Sequence, residues 1–491
     1  MFQGIWWVPE YENQKLSGIL TFEDNRIRLR LIGQFFDRDI GEDLQRIEVI
    51  HGVTYGSKDS EKPHQEVAGR FIILQNCLQV NHNFSFGNSS LYDSLPTNTF
   101  STLNAFVFPN SNFVKDTSLN FHKVKIQFSH LPDFAVVGAN PITIKREFDS
   151  NEYLNSLKTE FKFQVFPSAK IKDINLEFEQ GLKTSGDRKR EFAIKPSISF
   201  KLSSNVPLSL DDWQSNFITP LQHFLTLATT EVNYVTKLEV FNDSNVESIE
   251  IEKGNTIFQE IPIDVINEET LEYGNKTFNQ AVFQLFTLKD IVDRFSRVMP
   301  DWYKLYEKHR VVQNLLFGVL FSKRIYIEDR FLNLARALEV YHRTKYPRGI
   351  MPTEDFKKLR DSIISQVKTE QQKWLKEKLA WANELSLNER LQGLLKDLAD
   401  LELSNTLNID EEKIGKRIKD SRNQLTHYSS RSKSVSPSEL TWLSYLMEYL
   451  LQALLLKEIG FSATRIKNGS NFDFRMEKIK NALSQPKTSQ H

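Results

Sequence analysis

Apolar and polar residues alternate along most of the first half of the chain, a pattern typical of half-buried β-strands. In RIRLRLIG, the apolar Ile27, Leu29 and Leu31 alternate with arginines. Clusters of Gly, Asn, Asp and Pro, which favour turns, separate this run from similar runs at 18–22, 70–80, 104–110, 123–130, 160–166, 174–180, 197–203 and 235–242. One amphipathic helix with an acidic first turn is predicted at 209–229.

From about residue 278 the apolar spacing changes to three and four residues, which is the period of an α-helix. The segment FLNLARALEVYHR shows it at Phe331, Leu334, Leu338 and Tyr341. The same spacing predicts helices near 278–298, 302–322, 326–346, 354–367, 371–385, 387–400, 411–427 and 436–459.

Two helix starts carry local signals. Ser386 with Glu389 is a capping-box pattern, and Ser436 precedes Pro437 at the first helical position. Gly460 is the expected stop of the last long helix.

The change of period predicts an α+β protein in which a β-rich N-terminal region, with sandwich- or barrel-like sheets and one helix, precedes an all-α helical bundle. We place the β-rich region at 1–285, the helical domain at 286–470 and a polar tail at 471–491.

Composition narrows the class of protein. The chain has 63 Lys and Arg residues and 63 Asp and Glu residues, so its formal net charge is zero. A surface that binds nucleic acid would therefore have to be a local cluster of basic residues. The single Cys77 excludes an internal disulfide and a cysteine-based zinc site, and no histidines pair at metal-ligand spacing. The N-terminus lacks the pattern of a secretory signal, and the most apolar stretch, 442–456, is too short to span a bilayer. We expect a cytoplasmic protein without a membrane span, a metal or another cofactor.

Pairs of arginine and histidine five or six residues apart are the remaining candidates for chemistry. Their number is close to what chance predicts, and they are Arg46 with His51, Arg336 with His342, and Arg422 with His427. Arg46 and His51 lie in a segment that alternates as a β-strand does, which gives no indication of a site. In the second pair, His342 lies at the edge of an apolar helix stripe, which favours a boundary histidine over a site residue.

The third pair has different surroundings. Ile414, Ile418 and Leu425 define the packing stripe of its helix, and His427 falls on roughly the opposite side from them. In segment 413–433, Asp420 is the single acidic residue beside Lys413, Lys416, Arg417, Lys419, Arg422, Arg431 and Lys433. Such a cluster is either a solvated face or a surface that attracts a phosphate polyanion.

With these residues the chain resembles a known family. The segment RNQLTHY is similar to the Arg-x4–6-His signature of an ApeA-like HEPN domain, and FLNLARALEVYHR resembles the helix with a Leu-Glu-x-x-His-Arg signature in that group. The N-terminal GIWWVPEYENQKLSGILTFEDNRIRLRLIG resembles the opening of the ApeA N-terminal domain.

The resemblance implies a bacterial antiphage abortive-infection protein with a HEPN ribonuclease as its toxic part. It makes Arg422 and His427 the catalytic pair and Asn423 a polar neighbour, with Glu339, His342 and Arg343 in support. The basic residues expected to bind RNA are Lys416, Arg417, Lys419, Arg431 and Lys433. It also implies a homodimer or higher homo-oligomer through the helical domain, and a phage trigger of unknown nature.

The expected reaction needs no metal, because the 2′-hydroxyl of RNA can serve as the nucleophile. A host or phage RNA would be cut, with tRNA the natural guess for growth arrest, while the N-terminal region restrains the nuclease.

The alternative is a non-catalytic HEPN binding or assembly module whose β-rich half senses a ligand. A third reading gives the main function to the β-rich half and makes the helices an oligomerisation platform.

Overall fold

The structure is a computed structural model that describes residues 1–481 except 36–45, 56, 59–65, 68, 84–96, 111–118, 137–141, 149–153, 186–192, 252–254, 408–409, 428–434 and 470–475. In this part of the chain the strands are β1 (Phe2–Trp7), β2 (Leu16–Glu23), β3 (Arg26–Ile32), β4 (Arg46–Thr54), β5 (Ser57–Lys58), β6 (Glu66–Val67), β7 (Phe71–Asn83), β8 (Thr97–Thr102), β9 (Asn104–Val107), β10 (Asn120–Phe128), β11 (Ile142–Phe148), β12 (Leu154–Phe161), β13 (Ala169–Ile171), β14 (Ile174–Ser185), β15 (Ala193–Ser209), β16 (Val235–Phe241), β17 (Val246–Ile251), β18 (Asn255–Glu260) and β19 (Ile263–Asn267).

The described α-helices are α1 (Leu131–Phe134), α2 (Leu210–Trp213), α3 (Thr219–Thr229), α4 (Glu268–Tyr273), α5 (Phe295–Lys308), α6 (Arg310–Phe321), α7 (Ile327–Lys345), α8 (Thr353–Ser365), α9 (Thr369–Leu379), α10 (Leu387–Asp397), α11 (Leu403–Leu407), α12 (Glu411–His427), α13 (Pro437–Glu458) and α14 (Ala463–Lys467). Residues 476–481 are also helical. The predicted class, a β-rich N-terminal region followed by a helical region, is confirmed.

The chain forms two compact units. The first comprises Met1–Thr226, Asn233–Ala281 and Thr287–Arg297, and the second comprises Leu227–Val232, Val282–Phe286 and Val298–His491. The helical unit therefore takes in a short segment from the end of α3.

A six-stranded antiparallel barrel opens the first unit. Strands β7, β4, β1, β2, β3 and β8 pair in this order, and β8 pairs back with β7 to close the ring. The alternation in β3 is confirmed, because Ile27, Leu29 and Leu31 are buried in the core while the arginines between them lie outside it.

Trp6 fills this core at a position that Gly52 makes available. The two residues are register partners across β1 and β4, and a Cβ atom at Gly52 would lie 2.2 Å from Trp6 Cε3. Carbon atoms cannot approach so closely, so glycine at this position lets the indole ring lie over the neighbouring strand.

The sheet continues from the barrel through β9, β19, β16, β10, β15, β14 and β13 in that order. The predicted helix at 209–229 packs onto it, since Trp213 Nε1–H donates to the Phe121 carbonyl of β10 at 2.9 Å. This helix is divided, because a π-helical turn at Gln214–Ile218 separates α2 from α3.

In the helical unit, α7 and α13 form the centre. Helix α7 packs against α6, α10, α12 and α13. The predicted start and stop of α13 are confirmed: the Ser436 side chain accepts from Glu439 N–H at 3.1 Å, and Gly460 has a φ of +83°. The capping box of Ser386 with Glu389 is also present at the start of α10.

Three boundary predictions were wrong. Strand β12 ends at Phe161, so 160–166 is not one strand. The predicted helix at 278–298 is mostly irregular, because Leu285 N–H donates to the Ala228 carbonyl at 2.8 Å instead of to a helical partner. The predicted helix at 302–322 begins earlier, at Phe295, and is interrupted at His309, where the backbone leaves helical geometry.

Candidate functional site

Helix α12 carries the Arg-x4-His sequence. Ile414 and Ile418 are fully buried, which fixes the inward face of the helix. Its start is held by Gln392 of α10, whose side-chain amide donates to the Glu411 carbonyl at 3.1 Å. Helix α12 runs from Glu411 to His427, as the spacing predicts, so the backbone positions of Arg422 and His427 belong to one regular helix.

The Arg422 side chain is 39 % exposed and lies between two polar partners. Its Nη1 donates to Asn423 Oδ1 at 3.3 Å, and its Nη2 lies 4.0 Å from Glu339 Oε2. A guanidinium group has five N–H donors, so most of them remain available to an incoming anion.

Helix α7 provides the neighbouring carboxylate. Glu339 Oε1 accepts from Arg343 Nη2 at 3.1 Å, which is the usual i,i+4 spacing on one helix face. Glu339 therefore lies between Arg343 on its own helix and Arg422 on α12. This proximity agrees with the expectation from sequence, while the roles of Glu339 and Arg343 stay predictions.

His342 is buried, with 4 % of its surface exposed. Its Nδ1 lies 3.4 Å from Arg390 Nη1, and its ring packs against Tyr346 at 5.0 Å. Because a guanidinium can only donate, Nδ1 acts as the acceptor and the neutral ring carries its proton on Nε2. Burial, and then the Arg390 charge, lower the pKa of His342, which keeps the ring neutral. Its supporting role also stays a prediction.

The described basic residues of α12 differ in exposure. Lys416 is exposed, whereas Arg417 and Lys419 are half-buried. The side chain of His427 lies outside the described part of the structure, as do Arg431 and Lys433.

Arg390 is the residue that sequence reasoning missed. It is 2 % exposed, and its Nη2 donates to Glu384 while its Nε donates to the Leu385 carbonyl at 3.0 Å. Its position in the sequence could have indicated that it is buried, because Arg390 lies three residues after Leu387 and one before Leu391, on the apolar stripe of α10. A charged residue at a core position of a helix indicates a buried polar contact.

No group of three or more His, Cys, Asp or Glu side chains among the described residues is arranged to hold a metal ion. Cys77 is free and buried, and burial raises the pKa of its thiol to about 12. None of the described helices has the length and apolar character that crossing a membrane requires.

Comparisons with known families give two matches. A family model described as Apea-like HEPN matches residues 332–465. A second, ApeA N-terminal domain 1, matches residues 1–302, which is more than half of the 491 residues. Searches of the curated proteins and of the solved structures return no significant match.

Proposed function

Because this chain belongs to the ApeA family, with an ApeA N-terminal domain followed by an ApeA-like HEPN domain, we propose that it is a metal-independent endoribonuclease of antiphage defence. HEPN domains are generally nucleases of the ribonuclease type, and they often dimerise and act on RNA. The target RNA, of host or phage origin, is cut in an abortive response; tRNA is the first candidate to test.

The observation that carries this proposal is the placement of Arg422. It is partly exposed on a helix rich in basic residues, and Glu339 and Asn423 restrict its orientation. A guanidinium can contact two phosphate oxygens at once, which lysine cannot reproduce. Arg422 can therefore bind the scissile phosphate and stabilise the negative charge that develops there during the reaction.

His427 supplies the proton transfer in this proposal. Histidine has an ordinary pKa of about 6.5, so it can accept a proton from the 2′-hydroxyl or donate one to the leaving 5′-oxygen near neutral pH. Attack of the 2′-oxygen on phosphorus breaks the bond to the 5′-oxygen. The products are a 2′,3′-cyclic phosphate and a 5′-hydroxyl, and no other reactant is needed.

The geometry of α12 supports a dimeric site. Five residues at about 100° each place Arg422 and His427 about 140° apart around the helix. The backbone positions of these two residues therefore lie on different sides of the helix. A second copy related by two-fold symmetry would bring its own pair to the same phosphate, so the histidine and arginine that act together can come from different protomers.

We expect cleavage to continue in excess EDTA, because the proposed chemistry uses only Arg422, His427 and the 2′-hydroxyl of RNA. The measurement is the cleavage rate of purified protein with and without EDTA, together with the chemistry of the 3′ ends. Loss of cleavage with EDTA and its recovery with magnesium would contradict the proposed reaction.

The N-terminal region is proposed to restrain the nuclease until a phage product binds, since a nuclease acting on host RNA has to stay inactive during growth. A ligand releases such restraint only if it binds the active state more tightly than the restrained state.

If the N-terminal region restrains the nuclease, a fragment that begins at Val282, where the helical unit resumes, should be toxic in uninfected cells, and His427→Ala should remove the toxicity. This fragment lacks Leu227–Val232 of that unit, so its helical content and dimerisation are checked by circular dichroism and sedimentation. A folded, dimeric but harmless fragment would contradict restraint.

A further inference from the structure

A cavity of about 230 Å³ lies in the helical unit beside the C-terminal end of α7. Its lining residues are Arg343, Tyr346, Pro347, Arg348, Gly349, Glu384 and Arg390. Three guanidinium groups therefore face one carboxylate around a small space. The volume far exceeds the share of one water molecule and lies below the about 300 Å³ at which drug-sized pockets begin, so it suits a small anionic group.

Glu384 arranges two of the three arginines. Arg390 Nη2 donates to Glu384 Oε2, and Arg343 Nη2 lies 3.4 Å from the same oxygen atom. One carboxylate thus serves two guanidinium groups, and each keeps N–H donors that these contacts do not use. Arg390 is nearly inaccessible to water, and its burial and the nearby Arg343 charge lower its pKa. An anion in the cavity would relieve this excess of positive charge.

Arg348 is the third cation of the cavity. It is exposed, and within the described part of the chain it has no hydrogen-bond or ion-pair partner. The loop that carries it is held in place by Asn383, which accepts from Met351 N–H and donates to the Met351 carbonyl, both at 3.0 Å. A Cβ atom at Gly349 would lie 2.5 Å from Asn383 Nδ2, so glycine permits this close contact.

Arg343 and Glu339 lie between the cavity and the Arg422 site. Arg343 Nη2 contacts Glu384 of the cavity and also Glu339, which is the carboxylate 4.0 Å from Arg422. Glu339 and Arg343 are one helical turn apart, so the cavity and Arg422 are separated by a short row of alternating charges. RNA carries a phosphate on every nucleotide, and a phosphate next to the scissile one has to be accommodated close to Arg422.

We propose that the cavity lined by Arg343, Arg348 and Arg390 binds a non-scissile backbone phosphate of the RNA substrate. This inference rests on the proposed function, because it takes Arg422 as the position of the scissile phosphate. The cavity holds the substrate in place, and the exposed Arg348 guanidinium contacts the bound phosphate. Its contact forms equally in the ground state and the transition state, so it contributes to substrate binding and not to the rate of the chemical step.

The test compares Arg348→Ala with Arg324→Ala in the full-length protein. Both changes remove an exposed arginine from the helical unit, and Arg324 is not part of the cavity lining. The probe is a short single-stranded RNA with 2′-O-methyl riboses, which lacks the nucleophile and cannot be cleaved. We expect Arg348→Ala to weaken RNA binding by about tenfold and to reduce the slope of log K against log salt by about 0.7, with Arg324→Ala equal to wild type.

A second probe, 5′-AMP, distinguishes a free nucleotide from RNA as the source of the phosphate. Binding of 5′-AMP that depends on Arg348, with RNA binding unaffected by the substitution, would overturn the RNA assignment. Equal RNA affinities of wild type and Arg348→Ala, or no RNA binding by the wild type, would also overturn it.

Cleavage kinetics separate this inference from the proposed function. With unmodified RNA, the expected effect of Arg348→Ala is a raised KM at unchanged kcat. If wild type cleaves RNA and Arg348→Ala has the same KM, the cavity assignment fails and the proposed function stands. If RNA binding depends on Arg348 but no cleavage occurs, the cavity still binds an RNA phosphate, while the proposed function fails, and with it the placement of that phosphate next to a scissile one.

Discussion

Replacing His427 with alanine is expected to lower RNA cleavage by about 10²- to 10⁴-fold, the usual contribution of a general acid or base. The reason is that His427 transfers the proton in the proposed reaction, and the other groups of the site can only bind and polarise the phosphate. The measurement is the single-turnover cleavage rate of purified protein at saturating concentration, so that a change in RNA affinity does not contribute.

The control for this variant is Gln424→Ala, which changes a neighbouring residue on the last turns of α12 that has no role in the proposed reaction. Thermal unfolding followed by circular dichroism is compared for the wild type and both variants. We expect His427→Ala to melt at the wild-type temperature, since His427 is the last residue of its helix and its backbone position is on the opposite side of α12 from the buried Ile418. A folded His427→Ala protein with wild-type cleavage would remove His427 from the reaction.

Replacing Arg422 with alanine should lower kcat by about 10²- to 10³-fold, as the loss of one stabilising group at a developing anion does. Arg422→Lys should recover only a small part of the rate, because an ammonium group keeps the charge but cannot make two parallel contacts to a phosphate. The measurement is kcat and KM of both variants.

The structure predicts little effect of these Arg422 substitutions on folding. The Arg422 side chain is 39 % exposed, and its closest carboxylate oxygen is 4.0 Å away, an ion pair of the kind that contributes about 0–1 kcal/mol. Reduced cleavage can therefore be assigned to the site if the melting temperature is unchanged. Full activity of Arg422→Lys would contradict a bidentate role and leave only a general electrostatic one.

The sequence predicts local structure where one face of an element is buried. The alternation in β3 and the stripe of Ile414 and Ile418 in α12 follow from burial against a single core, and both elements form where the pattern places them. The closure of the barrel by β7 and β8 could not be predicted, because strand partners far apart in the chain leave no local signal. The irregular backbone at Leu285 could not be predicted for the same reason. Leu285 fits the helical spacing of apolar residues, but its N–H donates to the carbonyl of the distant Ala228.

The candidate site was only partly accessible from sequence. The Arg-x4-His spacing and its basic surroundings made Arg422 and His427 candidates, and the helix signature made Glu339 a candidate, which lies beside Arg422; their roles stay predictions. The cavity was not predictable, since Arg348 belongs to a loop and its neighbours Glu384 and Arg390 come from another part of the chain. Only the fold brings them to Arg343.

The most direct measurement is the sequencing of RNA ends in phage-challenged cells that express the wild-type protein or His427→Ala. We expect new cleavage sites in the wild type alone, with a 2′,3′-cyclic phosphate on one fragment and a 5′-hydroxyl on the other, and loss of phage protection in the variant. Protection that persists in His427→Ala cells, or protection by the wild type without any such RNA ends, would contradict it and favour a binding module that does not cut RNA.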